Sequence, residues 1–253
     1  VILSIDWDYF CNENPLWDLG HRENQMFLNF MWQTRGCLAG EMKTSGQEVG
    51  FWSRIREIVD PQSYEIHVSE SHLSAYRLVE REEGPLILVD AHHDCWPFAL
   101  RGKDKWLMEC SNWVSAWIRI GKTYGVERQV FWVAPSKEAA SLYEGKIQKE
   151  VRKNVLTTTM DELARTLSFF VKQKVNIIHA CRSGCWTPPW LDKSWLAFLK
   201  ASQLEIKAMD PEPWDGIRER WTESDLQNAI ALDTQLRRKL QVIPEITIQE
   251  DEK

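Results

Sequence analysis

Short, wholly apolar runs alternate along the chain with longer amphipathic stretches, and several of the apolar runs end in acidic residues. Val1 to Ile5, Pro85 to Val89, Gln129 to Val133 and Val175 to Ala180 have the composition of strands buried on both faces. Tyr64 to Val68 and Leu204 to Ala208 are shorter candidates of the same kind. Glu70 to Glu80, Asn112 to Ile120, Ser136 to Val151, Thr159 to Gln173 and Lys193 to Ala201 read as the helices between them. The alternation predicts an α/β fold, a doubly wound, mostly parallel sheet with helices on both faces, whose ligands bind beyond the carboxyl ends of the strands. Glu223 to Leu240 reads as a further surface helix. No internal repeat and no linker rich in Gly, Pro or Ser interrupts the pattern. Residues 1–253 are therefore expected to form a single domain with a charged tail from about residue 249.

Composition narrows the class of partner. At 253 residues and 43% hydrophobic content, the chain can bury a sizeable core. Its 31 basic and 37 acidic side chains leave a net charge of −6. That balance argues against nucleic acid or an anionic membrane as partner and fits a neutral or cationic one. No apolar run reaches the roughly 18 residues of a membrane span, and no charged-then-apolar leader precedes the first strand, so a cytoplasmic protein is expected. Six scattered cysteines fit reduced thiols better than a disulfide scaffold. The one inflated count is tryptophan, at 14.

Chemistry concentrates at the strand ends. Of six histidines, His67, His72, His92, His93 and His179 fall at or just past predicted strand ends, and only His21 does not. Asp90, His92 and Asp94 are two residues apart, so an extended chain turns them to one face. The same spacing pairs Asp6 with Asp8 and sends Ile5, Trp7 and Tyr9 the other way. Two acidic strand ends sharing a crevice would repel, because like charges at close range cannot all stay ionised. A multivalent cation resolves the conflict. Carboxylates with a few imidazoles suit Mn²⁺ or Mg²⁺, and four carboxylates with two imidazoles suggest two ions. Taken singly, a strand-end acid could equally be a helix cap or a solvated loop group.

These segments carry a resemblance. Asp90-Ala91-His92-His93-Asp94 after an apolar strand resembles the D-A-H-x-D metal motif of the arginase and deacetylase superfamily, and Asp6-x-Asp8 resembles its second metal motif. Glu70-Ser71-His72-Leu73 resembles the segment that supplies a further histidine ligand. Arginases carry the D-x-D strand late, whereas this chain carries it first. That order, with Ser111-Asn112-Trp113 downstream, is most similar to the branch that includes peptide arginases, which convert arginine in ribosomally made peptides to ornithine. The match is specific over about residues 1–120.

The resemblance implies an arginase-like three-layer sandwich. It also implies metal ligands at Asp6, Asp8, His72, Asp90, His92 and Asp94, holding two Mn²⁺ rather than Mg²⁺ or Zn²⁺. Hydroxide generated between the ions would attack an arginine guanidinium, in a peptide or a free guanidino compound, and release ornithine and urea. Asp94 would orient that nucleophile, with His93 and His179 as candidates for proton delivery. Glu70 is the candidate guanidinium acceptor, Asn112 and Trp113 would line the mouth, and Arg182 could hold a peptide carbonyl or carboxylate. His179, Cys181 and Cys185 invite a zinc reading but lack a fourth partner at standard spacing. Competing readings are a single-zinc deacetylase of the same fold, a haloacid-dehalogenase-type Mg²⁺-dependent phosphatase, and a non-catalytic tryptophan-rich binding protein. Trp7, Trp96, Trp113, Trp186 and Trp190 are assigned to the site on their positions, and Trp117, Trp132 and Trp195 to the core. The peptide substrate and the oligomeric state stay open.

Overall fold

A computed structural model of the chain describes residues 1–11, 42–61, 63–97, 99–100, 106–166, 174–209 and 231. Its strands are β1 (Ile2–Asp6), β2 (Asp60–Pro61), β3 (Glu65–Ser69), β4 (Leu86–Val89), β5 (Ala99–Leu100), β6 (Trp106–Leu107), β7 (Val130–Ala134), β8 (Val155–Thr159), β9 (Lys174–Val175), β10 (Ile177–Cys181) and β11 (Glu205–Ala208). Seven of them form one parallel sheet in the order β11-β3-β10-β1-β4-β7-β8. β2 pairs with β9, and β5 with β6, as small separate ribbons. The helices are α1 (Phe51–Ile58), α2 (Ser74–Val79), α3 (Trp113–Thr123), α4 (Lys137–Glu144), α5 (Lys149–Arg152), α6 (Met160–Thr166) and α7 (Asp192–Ala201).

The central strands β1, β4 and β7 are buried along their whole length and almost wholly apolar because both faces are covered. Leu3, Ile5, Ile87, Val89, Phe131 and Val133 point to one core, against Phe51 and Ile55 of α1, Leu163 of α6 and Phe198 of α7. Ile2, Leu86, Leu88, Val130 and Trp132 point to the other, against Val79 of α2, Trp117 of α3 and Val151 of α5. The period of two thus splits each strand between two apolar layers and gives the expected three-layer α/β sandwich. β1 is central. Its connection leads outward to β3, whereas that of β4 leads the opposite way to β7. Adjacent strands whose connections diverge leave a crevice at their carboxyl ends, and Asp6 and Asp90 lie there.

Several elements differ from expectation. β8 (VLTTT) was not anticipated: it is an edge strand, half exposed, so it lacks the continuous apolar run of the others. The helix expected over Ser136 to Val151 breaks between Glu144 and Lys149 into α4 and α5. α1 was unexpected too, and starts after Gly50, whose φ of 78° suits glycine. His67 and His179 lie within strands, paired in register across β3 and β10. His21, Cys37, the stretch Glu223 to Leu240 and the charged tail are outside the described residues, apart from Ala231. The other five cysteines are free thiols. Among the described residues no helix is long and apolar enough to cross a membrane.

The tryptophans divide differently from the sequence reading. Trp7 and Trp113 are fully buried alongside Trp117 and Trp132 and are core residues, not lining of an open mouth. Trp7 packs against Phe10, Trp195 and Phe198. The indole N–H of Trp117 donates to the Val79 carbonyl at 2.7 Å, and that of Trp132 to the Asp90 carbonyl at 3.0 Å. Trp117 also lies under the guanidinium of Arg128, which donates to the carbonyls of Trp117 and Glu80 and so ties α3 to the end of α2. A Cβ at Gly121 would lie 2.6 Å from that Arg128 side chain and 2.9 Å from the Val126 carbonyl oxygen. Gly121→Ala is expected to destabilise the fold by about 1–3 kcal/mol, read as a lower urea midpoint with unchanged slope.

Candidate metal centre

The acidic motifs meet because β1 and β4 are neighbours, but the chain does not stay extended through either. β1 ends at Asp6, and Trp7–Phe10 form a 3-10 turn in which the Asp8 N–H donates to Asp6 Oδ1 at 3.2 Å. β4 ends at Val89, and the His92 N–H donates to Asp90 Oδ1 at 2.7 Å. Asp94 then adopts a φ of 49°, a left-handed conformation that aspartate tolerates better than most residues. Tight turns therefore replace the expected alternation, yet they bring the same side chains together.

Asp6, His72 and Asp90 form one group able to hold a cation, and Asp8, Asp90 and His92 a second, with ligand atoms within 4.8 Å of one another in each. Asp90 belongs to both. His72 Nδ1 lies 3.2 Å from Asp6 Oδ2, 3.0 Å from Asp90 Oδ2 and 3.0 Å from Asp94 Oδ2. His92 Nδ1 lies 3.1 Å from Asp8 Oδ2. His72 Nδ1 and Asp90 Oδ2 are buried without a hydrogen bond of proper geometry, although they face each other. Buried polar atoms left in this way point to a missing partner, and the donor set, carboxylate oxygens with two imidazoles, fits a hard or borderline divalent cation.

The electrostatics agree. Burial raises the carboxyls of Asp6 and Asp90 above the usual aspartate range, and the charge of Asp8 on Asp6, and of Asp94 and Asp8 on Asp90, raises them further. Burial alone would lower the two histidines, but the carboxylates around His72 hold it well above its ordinary value, and Asp8 pushes His92 up to about 10. Without a cation, the folded cluster retains protons in its place.

The remaining candidates are less close to this cluster. His93 is fully buried between Trp96 and Trp132, its Nδ1 accepts the Cys95 N–H at 2.9 Å, and burial pushes its pKa down to about 4. His179 is also fully buried, between Ser4 and Ser69. Neither histidine is exposed to deliver a proton to an incoming substrate. Glu70 is paired with the guanidinium of Arg182, so its carboxylate is already engaged by this chain's own arginine. Arg182 is in turn 3.9 Å from Asp192. Asn112 is 1% exposed and its Oδ1 accepts the Glu109 N–H, part of a capping box on the 3-10 turn Cys110–Asn112 that precedes α3. Trp113 lies beneath the cluster and donates to Asp94 Oδ2 at 2.6 Å. The zinc reading of His179, Cys181 and Cys185 finds no support: His179 bonds two serines, and Cys181 Sγ donates to the Glu70 carbonyl.

Three serines were missed. Ser183, at a φ of 52°, donates to Asp6 Oδ2 at 2.8 Å. Ser4 and Ser69 flank His179. The available signal was a lone hydroxyl inside otherwise apolar strand ends, as in Leu3-Ser4-Ile5. The chain matches no protein-family profile, no curated protein and no solved structure.

The retained protons give a signed pH dependence. His72 and His92 have folded pKa values above their unfolded ones, so the stability they contribute is complete below about pH 6.5 and is lost as pH rises through the folded values, about 10 for His92. His93 and His179, lowered by burial, give the opposite slope only below about pH 6.5. Chelator-treated protein should therefore melt at progressively lower temperature from about pH 7 to about pH 9. Mn²⁺ should raise the melting temperature, and more so at the alkaline end. A chelator-treated midpoint that rises over this range contradicts the protonated cluster.

Proposed function

We propose that this chain is a hydrolase that holds two divalent cations, Mn²⁺ by its donor set, and cleaves the guanidinium group of arginine, within a ribosomally made peptide or as a free guanidino compound. The observation that carries the reading is the pair of three-residue groups sharing Asp90. Asp6 and His72 would hold one cation, Asp8 and His92 the other, and Asp90 both. Such a pair supplies a water molecule that ionises near neutral pH. In the reaction one C–O bond forms at the guanidinium carbon, its bond to Nε breaks, and Nε leaves with a proton as the ornithine amine, with urea as co-product. Asp94 belongs to neither three-residue group, and Trp113 fixes its carboxylate. It is the side chain suited to accept a proton from the attacking water and return it to the leaving nitrogen. The chain's net charge of −6 is compatible with a cationic substrate.

Particular observations weigh against the competing readings. A single-zinc site held by either three-residue group leaves the Asp and His of the other group without a purpose. A phosphatase of the aspartyl-nucleophile type needs a free carboxylate on β1, whereas Asp6 accepts from Asp8 N–H and Ser183 Oγ. A tryptophan-rich gripping surface is at odds with the burial of Trp7, Trp113, Trp117 and Trp132.

Incubation of the Mn²⁺-loaded protein with arginine-containing peptides and with free arginine should release urea and remove one carbon, two nitrogens and two hydrogens per arginine. Metal analysis should find about two ions per chain, about one in Asp8→Asn and none in Asp90→Asn, with activity lost in both variants. Unchanged metal content in Asp90→Asn rejects the site. Cleavage of a phosphate ester with arginine untouched selects the phosphatase.

A further inference from the structure

One nitrogen of His72 faces the carboxylates, and the other opens onto a buried row of side chains outside the sequence motifs. His72 Nε2 is 2.8 Å from Ser4 Oγ, which is 3.0 Å from His179 Nδ1. His179 Nε2 is 2.9 Å from Ser69 Oγ, and Ser69 Oγ donates to the Ser71 carbonyl at 2.8 Å. None of the four residues is more than 3% exposed. Sheet register builds the row: Ser4 and His179 are paired positions of β1 and β10, and Ser69 closes β3 beside Cys181.

Proton directions follow in order from one end. A hydroxyl has a single proton. Ser69 gives its proton to the Ser71 carbonyl, so it must accept from His179 Nε2–H. The fully buried His179 ring meets two serine hydroxyls and the stacked His72 ring, with no carboxylate on either nitrogen among the described residues, and a buried imidazolium without a counter-charge is too costly to form. The ring is thus neutral with a bare Nδ1, which accepts the Ser4 proton. Ser4 Oγ is left to accept from His72 Nε2–H. His72 thus donates from Nε2–H whether charged or neutral, so Nδ1, aimed at Asp6, Asp90 and Asp94, is the nitrogen that gives up the retained proton when a cation binds. We infer that Ser69, His179 and Ser4 are positioning residues that fix His72 as its Nε2–H tautomer and so present Nδ1 to a cation. This role rests on the two-cation reading, whereas the proton order of the row can be read without any metal.

Long-range ¹H–¹⁵N spectra of the metal-free protein should show His179 neutral with its proton on Nε2, and spectra of the Mg²⁺-loaded protein should show His72 with its proton on Nε2. Ser69→Ala and His179→Phe should weaken Mn²⁺ binding by about 10- to 100-fold. Ser115→Ala, which removes a fully buried hydroxyl outside the row, should leave binding unchanged. A His179 proton on Nδ1, or folded row variants that bind Mn²⁺ as tightly as the parent, overturns the positioning role alone. Failure of the unsubstituted protein to bind any divalent cation overturns the two-cation reading and the role with it, whatever the His179 tautomer.

Discussion

The structure is organised around carboxylates that cannot share their site without a counter-charge. Asp6, Asp8, Asp90 and Asp94 converge at the ends of adjacent central strands, and none is more than 6% exposed. Water cannot screen them there, so protons or cations must. The surrounding contacts are consistent with that demand. Ser183 and the Asp8 N–H take the two oxygens of Asp6, Trp113 takes Asp94, and the Ala91 N–H donates to Asp8 at 3.4 Å. Each donor lowers the cost of a buried negative charge, and none removes it. A site of this kind is costly for a fold that has no use for a cation.

The tryptophan excess belongs to the same economy of space. A large indole fills a core layer while offering one N–H at its rim, so it can bury much apolar surface and still anchor a chosen acceptor. Trp132 does this from β7, packing in the second core and holding the Asp90 carbonyl. Trp113 does it from the start of α3, holding Asp94 with its ring 5.2 Å from that of His72. Two core residues thus fix the backbone and side chain of the Asp90–Asp94 loop. The tight turns that carry the cluster are held in place from the core layers.

Much of this was legible in the sequence, for identifiable reasons. Apolar runs flanked by helical stretches imply a covered parallel sheet, and strand-end acids imply a crevice at its carboxyl edge. Adjacency of β1 and β4 is different: 80 or so residues separate them, and only the assembled topology shows that nothing lies between. Period-two reasoning reached Asp8 and Asp94 by the wrong route, because Asp6 and Asp90 each bond a backbone N–H two residues on and turn the chain. Helical spacing at Phe51, Ile55 and Ile58 was present and passed over. The serines were hidden for a deeper reason. A hydroxyl matters only when partners lie at both ends, and those of Ser4 come from residues 68 and 175 positions away.

The two halves of the cluster are unequal, and the inequality bears on how each would serve. His72 and Asp6 have side chains 2% and 5% exposed, with Ser4 behind one and Ser183 behind the other. His92 is 19% exposed, beside the Tyr143 ring. Preorganised, dry ligands bind a cation more tightly than ligands that must first shed water and motion. If both groups hold cations, the inner one would therefore bind the more tightly, and the His92 side is the more open to solvent. Glu70 lies on the inner side, bound to Arg182. On the proposed arginine chemistry, an acceptor for the guanidinium would then come from the outer side, near His92.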